Sequence, residues 1–125
     1  MRHDEFLKTV TEKGGPSDRE QASQLVNVVL GDLGKRLKGG EASNLAAQLP
    51  QELKAPLTDN AGTETLDDVD EFLRRVAGKL EQGVGTEDAL AQVKAVFSTL
   101  ADSVSESEIK DLRSQLPTGF APLFA

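Results

Sequence analysis

Glu41-Ala42-Ser43-Asn44-Leu45-Ala46-Ala47-Gln48-Leu49-Pro50 is answered 67 positions later by Glu108-Ile109-Lys110-Asp111-Leu112-Arg113-Ser114-Gln115-Leu116-Pro117. Glu, Leu, Gln, Leu and Pro coincide at one offset. Amphipathic helices match each other at apolar positions by chance, but periodicity alone does not supply a Gln-Leu-Pro after a matched Glu and Leu. Upstream, Glu20, Ala22, Val26, Val29 and Leu33 meet Glu87, Ala89, Val93, Val96 and Leu100 at the same offset. One residue of slippage aligns Asp4-Glu5-Phe6-Leu7-Lys8-Thr9-Val10 with Asp70-Glu71-Phe72-Leu73-Arg74-Arg75-Val76. Larger apolar pairs continue the match: Leu30 with Phe97, Leu37 with Val104, Leu53 with Phe120, Leu57 with Phe124. The sequence therefore reads as an internal duplication within one domain, 1–125. Repeat one covers about 3–57, a linker about 58–66, and repeat two about 67–125.

Each repeat reads as three helices. In the first, Phe6, Leu7 and Val10 form a short stripe behind Asp4 and Glu5, acids that suit the positive end of a helix dipole. Gly14-Gly15-Pro16 breaks the chain. Ser17 and Glu20 have capping-box spacing. Ala22, Val26, Val29, Leu33 and Leu37 then mark one buried face. Gly31 and Gly34 interrupt it, which predicts close helix packing or a bend. After Gly39-Gly40, a third helix carries Ala42, Leu45, Ala46 and Leu49 and stops at Pro50, since the residue before proline avoids helical geometry. One extra turn, with Pro50 first and Leu53 inward, can close the unit. In the second repeat, Phe72, Leu73, Val76 and Leu80 form the first stripe. Gly83-Val84-Gly85 breaks it and Thr86 caps. Ala89, Val93, Val96, Phe97, Leu100 and Val104 form the long stripe. Ser105 with Glu108 is a second capping box, before Ile109, Leu112 and Leu116. No β-branched run or hairpin turn argues for a strand. The expected fold is all-α: a six-helix bundle of two tandem three-helix repeats with an approximate two-fold axis. A half of this size alone buries too little surface to be stable.

Composition narrows the function. The chain has 125 residues, 14 Lys+Arg, 21 Asp+Glu, one His, no Cys and a formal net charge of −7. Without Cys there is no disulfide, thiolate zinc site or thiol nucleophile. One His precludes a multi-histidine metal site within the chain. The acidic balance disfavours nucleic acid, which needs a basic face. Met1-Arg2-His3-Asp4-Glu5 lacks the apolar run of a signal peptide, and no stretch suits a bilayer of roughly 20 residues. A cytoplasmic protein without membrane contact is expected.

At the repeated units the chain resembles a bacterial family of unassigned function. The residues that carry the likeness are Asp4-Glu5-Phe6-Leu7, Leu33-Gly34-Lys35-Arg36-Leu37, Gly39-Gly40-Glu41-Ala42 and Leu45-Ala46-Ala47-Gln48-Leu49-Pro50. In the second repeat they are Val69-Asp70-Glu71-Phe72-Leu73-Arg74-Arg75-Val76 and Leu112-Arg113-Ser114-Gln115-Leu116-Pro117. Together these are similar to the domain of unknown function 2267 family. The resemblance implies an all-helical bacterial protein and brings no reaction, cofactor or catalytic residue.

Chemical motifs are weak. Asp59-Asn60-Ala61-Gly62-Thr63 fails as a calcium loop, because Ala61 and Glu64 occupy the third and sixth positions. Gly31-Asp32-Leu33-Gly34-Lys35 has too few residues between its glycines for a phosphate loop. Gly83-Val84-Gly85 is equally weak as a dinucleotide signal. His3, at the chain terminus, reads as solvent-exposed; a helical di-iron site or a Ser-His-Asp triad would depend on it alone. No cofactor, metal or catalytic residue is assigned, and an enzyme is not expected.

The candidate residues belong to interactions instead. Gln48 and Gln115 either satisfy backbone groups where proline ends each helix or line a site on the pseudo-axis. Residues 1–57 hold eight basic and eight acidic side chains; residues 58–125 hold six and thirteen. Asp67, Asp68, Asp70 and Glu71 open the acidic half, while Lys35, Arg36 and Lys38 form its basic counterpart. The preferred reading is a protein-interaction or regulatory module, binding an unknown protein partner or a second copy through a groove between the halves or an apolar edge. The alternative is a small-molecule or lipid-type binder with a cavity in the helical core. Nucleic-acid binding through Lys35, Arg36 and Lys38 ranks last.

Overall fold

A computed structural model describes residues 1–38, 40–63, 68–80 and 85–124. Among them the chain is all helical: α1 His3–Glu12, α2 Arg19–Lys35, α3 Glu41–Ala46, α4 Gln51–Thr58, α5 Val69–Lys79, α6 Thr86–Ser103, α7 Glu106–Ser114, and a 3-10 helix, Thr118–Phe124. The two extra turns expected after Pro50 and Pro117 are thus elements in their own right. α4 runs for eight residues with Leu53 and Leu57 buried. Pro50 stands just before α4, as its N-cap, rather than at its first position. The 3-10 helix buries Phe120 and Leu123.

The caps differ from the expected ones in three places. Asp18, not Ser17, starts α2; its carboxylate accepts from Gln21 N–H at 3.0 Å. Either residue can cap, but Asp18 lies one position nearer the first inward residue, Ala22. α6 begins at Thr86 behind Gly85 with no side-chain cap. The box at α7 is only half made: Ser105 Oγ accepts from Glu108 N–H at 3.3 Å, but the Glu108 side chain does not return to Ser105. Ser105 N–H is taken by Gln48, which frees the Glu108 carboxyl to go elsewhere.

The stripes pack as their spacing predicts. Phe6, Val10, Leu25, Val26, Val29, Leu30, Leu33, Leu45, Leu53 and Leu57 are fully buried, as are Phe72, Val76, Val93, Val96, Phe97, Leu100 and Leu112. At roughly 25 cal/mol per Å² of apolar surface, this burial dominates the stability. Phe72 meets Phe97 and Phe120 edge-on, with ring centres 6.0 and 5.3 Å apart, and Phe124 tilts against Phe97 at 5.0 Å. Three expected core positions, Val104, Ile109 and Leu116, are only half-buried. Val104 stands at the C-cap of α6, where the helix has already ended.

Helices from the two ends of the sequence interleave. α1 packs on α2 and α6, α5 packs on α6 and α2, and α3 packs on α4 and α7. Lys13, at the end of α1, reaches α6, donating to Ser98 Oγ and pairing with Asp102, each at 2.9 Å. Arg19 of α2 binds Asp4 of α1, and that hydrogen bond and charge hold the exposed Asp4 carboxyl below its ordinary range. His3 is less exposed than expected: it begins α1, is partly buried and lies 4.0 Å from Glu52. α2 and α4 approach closely at Gly34, where a Cβ would overlap the Leu57 carbonyl oxygen. That settles which expected use of the glycine applies here. No helix among the described residues is long and apolar enough to cross a membrane.

Candidate functional site

α3 and α7 are the helices that precede the two Gln-Leu-Pro ends, and the polar chemistry gathers around them. Gln115 lies just past the end of α7 and clasps the segment before α3. Its Oε1 accepts from Lys38 N–H at 3.0 Å, and its Nε2 donates to Lys38 O at 3.2 Å. Gln48 lies just past the end of α3 and clasps the segment before α7. Its Oε1 accepts from Ser105 N–H at 2.7 Å, and its Nε2 donates to Ser105 Oγ at 3.3 Å. Neither amide serves the proline-ended helix it follows. Each instead fills both backbone or hydroxyl valences of a segment from the other half of the chain. An amide suits this because it carries a donor and an acceptor side by side.

Between the clasps, the first residue of α3 and the third of α7 meet. Glu41 is 5% exposed and Glu108 is 8% exposed. Oε1 of each is buried without a hydrogen-bond partner, and the Glu108 carboxyl acts on that of Glu41. Burial pushes the Glu41 carboxyl up to about 7, helped by the bond to Glu108 and by the negative charges of Glu108 and Asp111. A charged form in low dielectric is costly, and two like charges in contact are costlier. Glu41 therefore keeps its proton up to about 7.

A second buried carboxylate is treated in the opposite way. Asp32 of α2 is 2% exposed and surrounded by cations. Arg36 NH1 lies 3.1 Å from Asp32 Oδ1 and donates to Asp32 O at 2.7 Å. Arg75 of α5 donates from Nε to Oδ1 at 3.2 Å and from NH2 to Oδ2 at 3.3 Å. Lys79 Nζ is 3.7 Å from Oδ1. Removing the carboxylate would take a buried partner from Arg36, Arg75 and Lys79, the costly way to break a buried ion pair.

On the side of α7 turned away from Glu108, a groove of about 530 Å³ runs between Ala101 of α6 and Glu106, Ile109, Lys110 and Arg113. A second, of about 300 Å³, shares Lys110 and Arg113 and continues over Leu116, Pro117, Phe120 and Phe124. Arg113 sits 5.6 Å above the Phe124 ring, a cation–π contact. The half-buried positions Ile109 and Leu116 thus pack against the core on one side and line these grooves on the other.

One family model, for an uncharacterized conserved protein family, DUF2267, matches residues 3–123, which takes in α1 through nearly all of the 3-10 helix. The chain belongs to the DUF2267 family. No curated protein matches it. The family description names no ligand, reaction or partner, so roles in this DUF2267 member rest on its own geometry.

That geometry redistributes the candidate residues. Gln48 and Gln115 come to the same α3–α7 region. Lys35, Arg36 and Lys38 do not form one exposed basic patch: Arg36 turns inward to Asp32, Lys35 is half-buried, and Lys38 offers its backbone to Gln115. A cation beside a buried carboxylate gains more than one in water, which is why Arg36 leaves the surface. Asp68 is the N-cap of α5, accepting from Glu71 N–H at 2.9 Å, and Glu71 pairs with Arg74 at 2.8 Å. Asp70 is exposed in the first turn. Asp67 lies outside the described residues, as do Glu64, Leu66, Gly39, Gly83 and Val84. Among the described residues no group of three His, Cys, Asp or Glu side chains could hold a metal ion.

The sequence offered no functional role for Glu41, Glu108, Asp32 or the lining of the α7 groove. The glutamates left a signal: Glu41-Leu45-Leu49 and Glu108-Leu112-Leu116 keep the i, i+4 spacing of one face. An acid four residues before a buried leucine, Glu41 with Leu45 and Glu108 with Leu112, was the trace of the buried pair.

Proposed function

We propose that this chain is a non-enzymatic protein-interaction module whose α7 groove receives an acidic, apolar segment of a partner protein. The observation that carries this reading is the two adjoining grooves that share Lys110 and Arg113, one lined by Ile109 and the other by Leu116 and Phe124. Apolar lining beside two cations suits a helix or strand that presents bulky side chains next to a carboxylate. Met1 and Leu90 are the large apolar side chains exposed elsewhere among the described residues, so the groove is the better docking surface. In a body of net charge −7, Lys110 and Arg113 give an acidic partner a local target, and such steering weakens with salt.

We also read the molecule as two tandem copies related by an approximate two-fold axis through the Glu41–Glu108 contact. Three reciprocal relations support this: Gln48 to Ser105 against Gln115 to Lys38, Glu41 against Glu108, and α1 on α6 against α5 on α2. Buried Asp32 and buried Thr99 occupy equivalent places.

The test pairs wild type with a Lys110→Glu, Arg113→Glu variant as bait in the native host's lysate, at low and high salt. A protein retained by wild type, lost with the variant and weakened by salt is expected. Identical recovery on both baits, or a co-purifying small molecule in place of a protein, overturns the reading. Self-association through the groove would appear as a dimer that the variant abolishes.

A further inference from the structure

Two carboxylic acids side by side in a protein interior are a costly arrangement unless a proton is part of the design. The same fold surrounds another buried acid quite differently: Asp32 is met by Arg36, Arg75 and Lys79. Among the described residues no such cations converge on Glu41. The groups that act on it are Glu108 and Asp111, both acidic and both from α7. α4, the other helix packed on α3, brings exposed Glu52 and half-buried Lys54, and neither acts on Glu41.

We propose that the Glu41–Glu108 pair is a proton-operated latch that holds α3 against α7, closed with one shared proton and loosened when both carboxyls are ionised. With the proton, one carboxyl donates to the other and the contact is attractive. Without it, two negative charges face each other beside Asp111, with an unpartnered oxygen on each. The element they hold is short. α3 has six residues and follows Gly40, its N-cap, whose φ of +82° suits glycine, so its own hydrogen bonds keep it in place only weakly. The Gln48–Ser105 clasp lies at the same junction and would loosen with it.

The direction with pH follows from the proton count. Glu41 keeps its proton in the folded protein up to about 7, against an ordinary value of 4.5. The folded state therefore binds more protons between those limits, and stability falls as pH rises. The latch contributes fully below about 4.5, is lost as pH passes through about 7, and changes little above. It does not depend on what the α7 groove binds.

The experiment follows amide hydrogen exchange in α3 and α7, corrected for the intrinsic rate, together with the urea midpoint from pH 5.5 to 8.5. Protection at Leu45 and Ala46 is expected to fall about tenfold between pH 6 and 8, one decade being about 1.4 kcal/mol, with the urea midpoint dropping over the same window. Glu41→Gln, which can donate without titrating, and Glu108→Gln should each flatten both profiles. A merely structural role would lower stability in these variants and leave the pH slope as it was. Carboxyl carbon NMR on the wild type needs no variant to fold: a Glu41 midpoint near neutrality supports the latch. A midpoint near 4.5, a flat wild-type profile, or an unchanged slope in Glu41→Gln overturns it.

Discussion

Gly31 and Gly34 lie three residues apart on α2 and meet α4 differently. A Cβ at Gly34 would overlap the backbone of Leu57, whereas a Cβ at Gly31 would sit 3.7 Å from Pro56 O, an ordinary contact. Gly34→Ala is expected to cost about 2 kcal/mol or more, because backbone must separate from backbone in a packed core. Gly31→Ala should be neutral or stabilising by about 0.5–1 kcal/mol, the helix-propensity difference. Urea unfolding of the two variants checks both; equal losses would mean that α2 and α4 do not approach as described. The sequence marks both glycines alike, since spacing alone cannot say which one faces a neighbouring helix. The buried acids were harder to read for a related reason. Asp32 falls beside Leu33 on a helix already rich in inward residues, and its partners Arg75 and Lys79 come from a helix more than forty residues away.

Elements were legible where apolar period and punctuation agreed. α2 and α6 carry stripes long enough to fix their faces, and Pro50 and Pro117 mark where α3 and α7 give way. Helix starts were less legible, because Ser17 and Asp18 are both competent caps and only tertiary geometry chooses between them. Asp18 makes the bond to Gln21 N–H, so Asp18→Ala should cost about 1 kcal/mol, while Ser17→Ala should stay within about 0.5 kcal/mol. Thermal melts of the two variants decide it; a larger loss for Ser17→Ala would return the cap to that residue. The half-made box at α7 shows the same competition. Gln48 supplies the acceptor that Glu108 would have given Ser105 N–H, which lets Glu108 meet Glu41. A sequence pattern that fits a local motif was thus spent on a long-range contact, and no local rule could have revealed it.

At the scale of the molecule, the apolar faces of the two halves are completed by exchange rather than by each half alone. α1 rests on α6 and α5 on α2, the Lys13–Asp102 and Asp32–Arg75 pairs join the same helices, and the two glutamine clasps run in opposite directions. A fragment of residues 1–63 would leave the α6-facing side of α1 in water, and would lose Arg75 from Asp32. A chain of roughly 60 residues buries only about 60% of its unfolded surface even when its core is complete. Fragments 1–63 and 64–125 are therefore each expected to show little helix by circular dichroism, and to gain it together as an equimolar complex with the size of the intact chain. Association should depend on concentration, since binding now supplies the stability that covalent linkage supplied. The Gln48→Ala, Gln115→Ala pair should weaken the complex of fragments more than it weakens the intact chain, because the clasps act wholly between the pieces. A cooperative melt from either fragment alone would mean that a half carries its own core, and that the interleaving of α1 with α6 is packing added to two folded units.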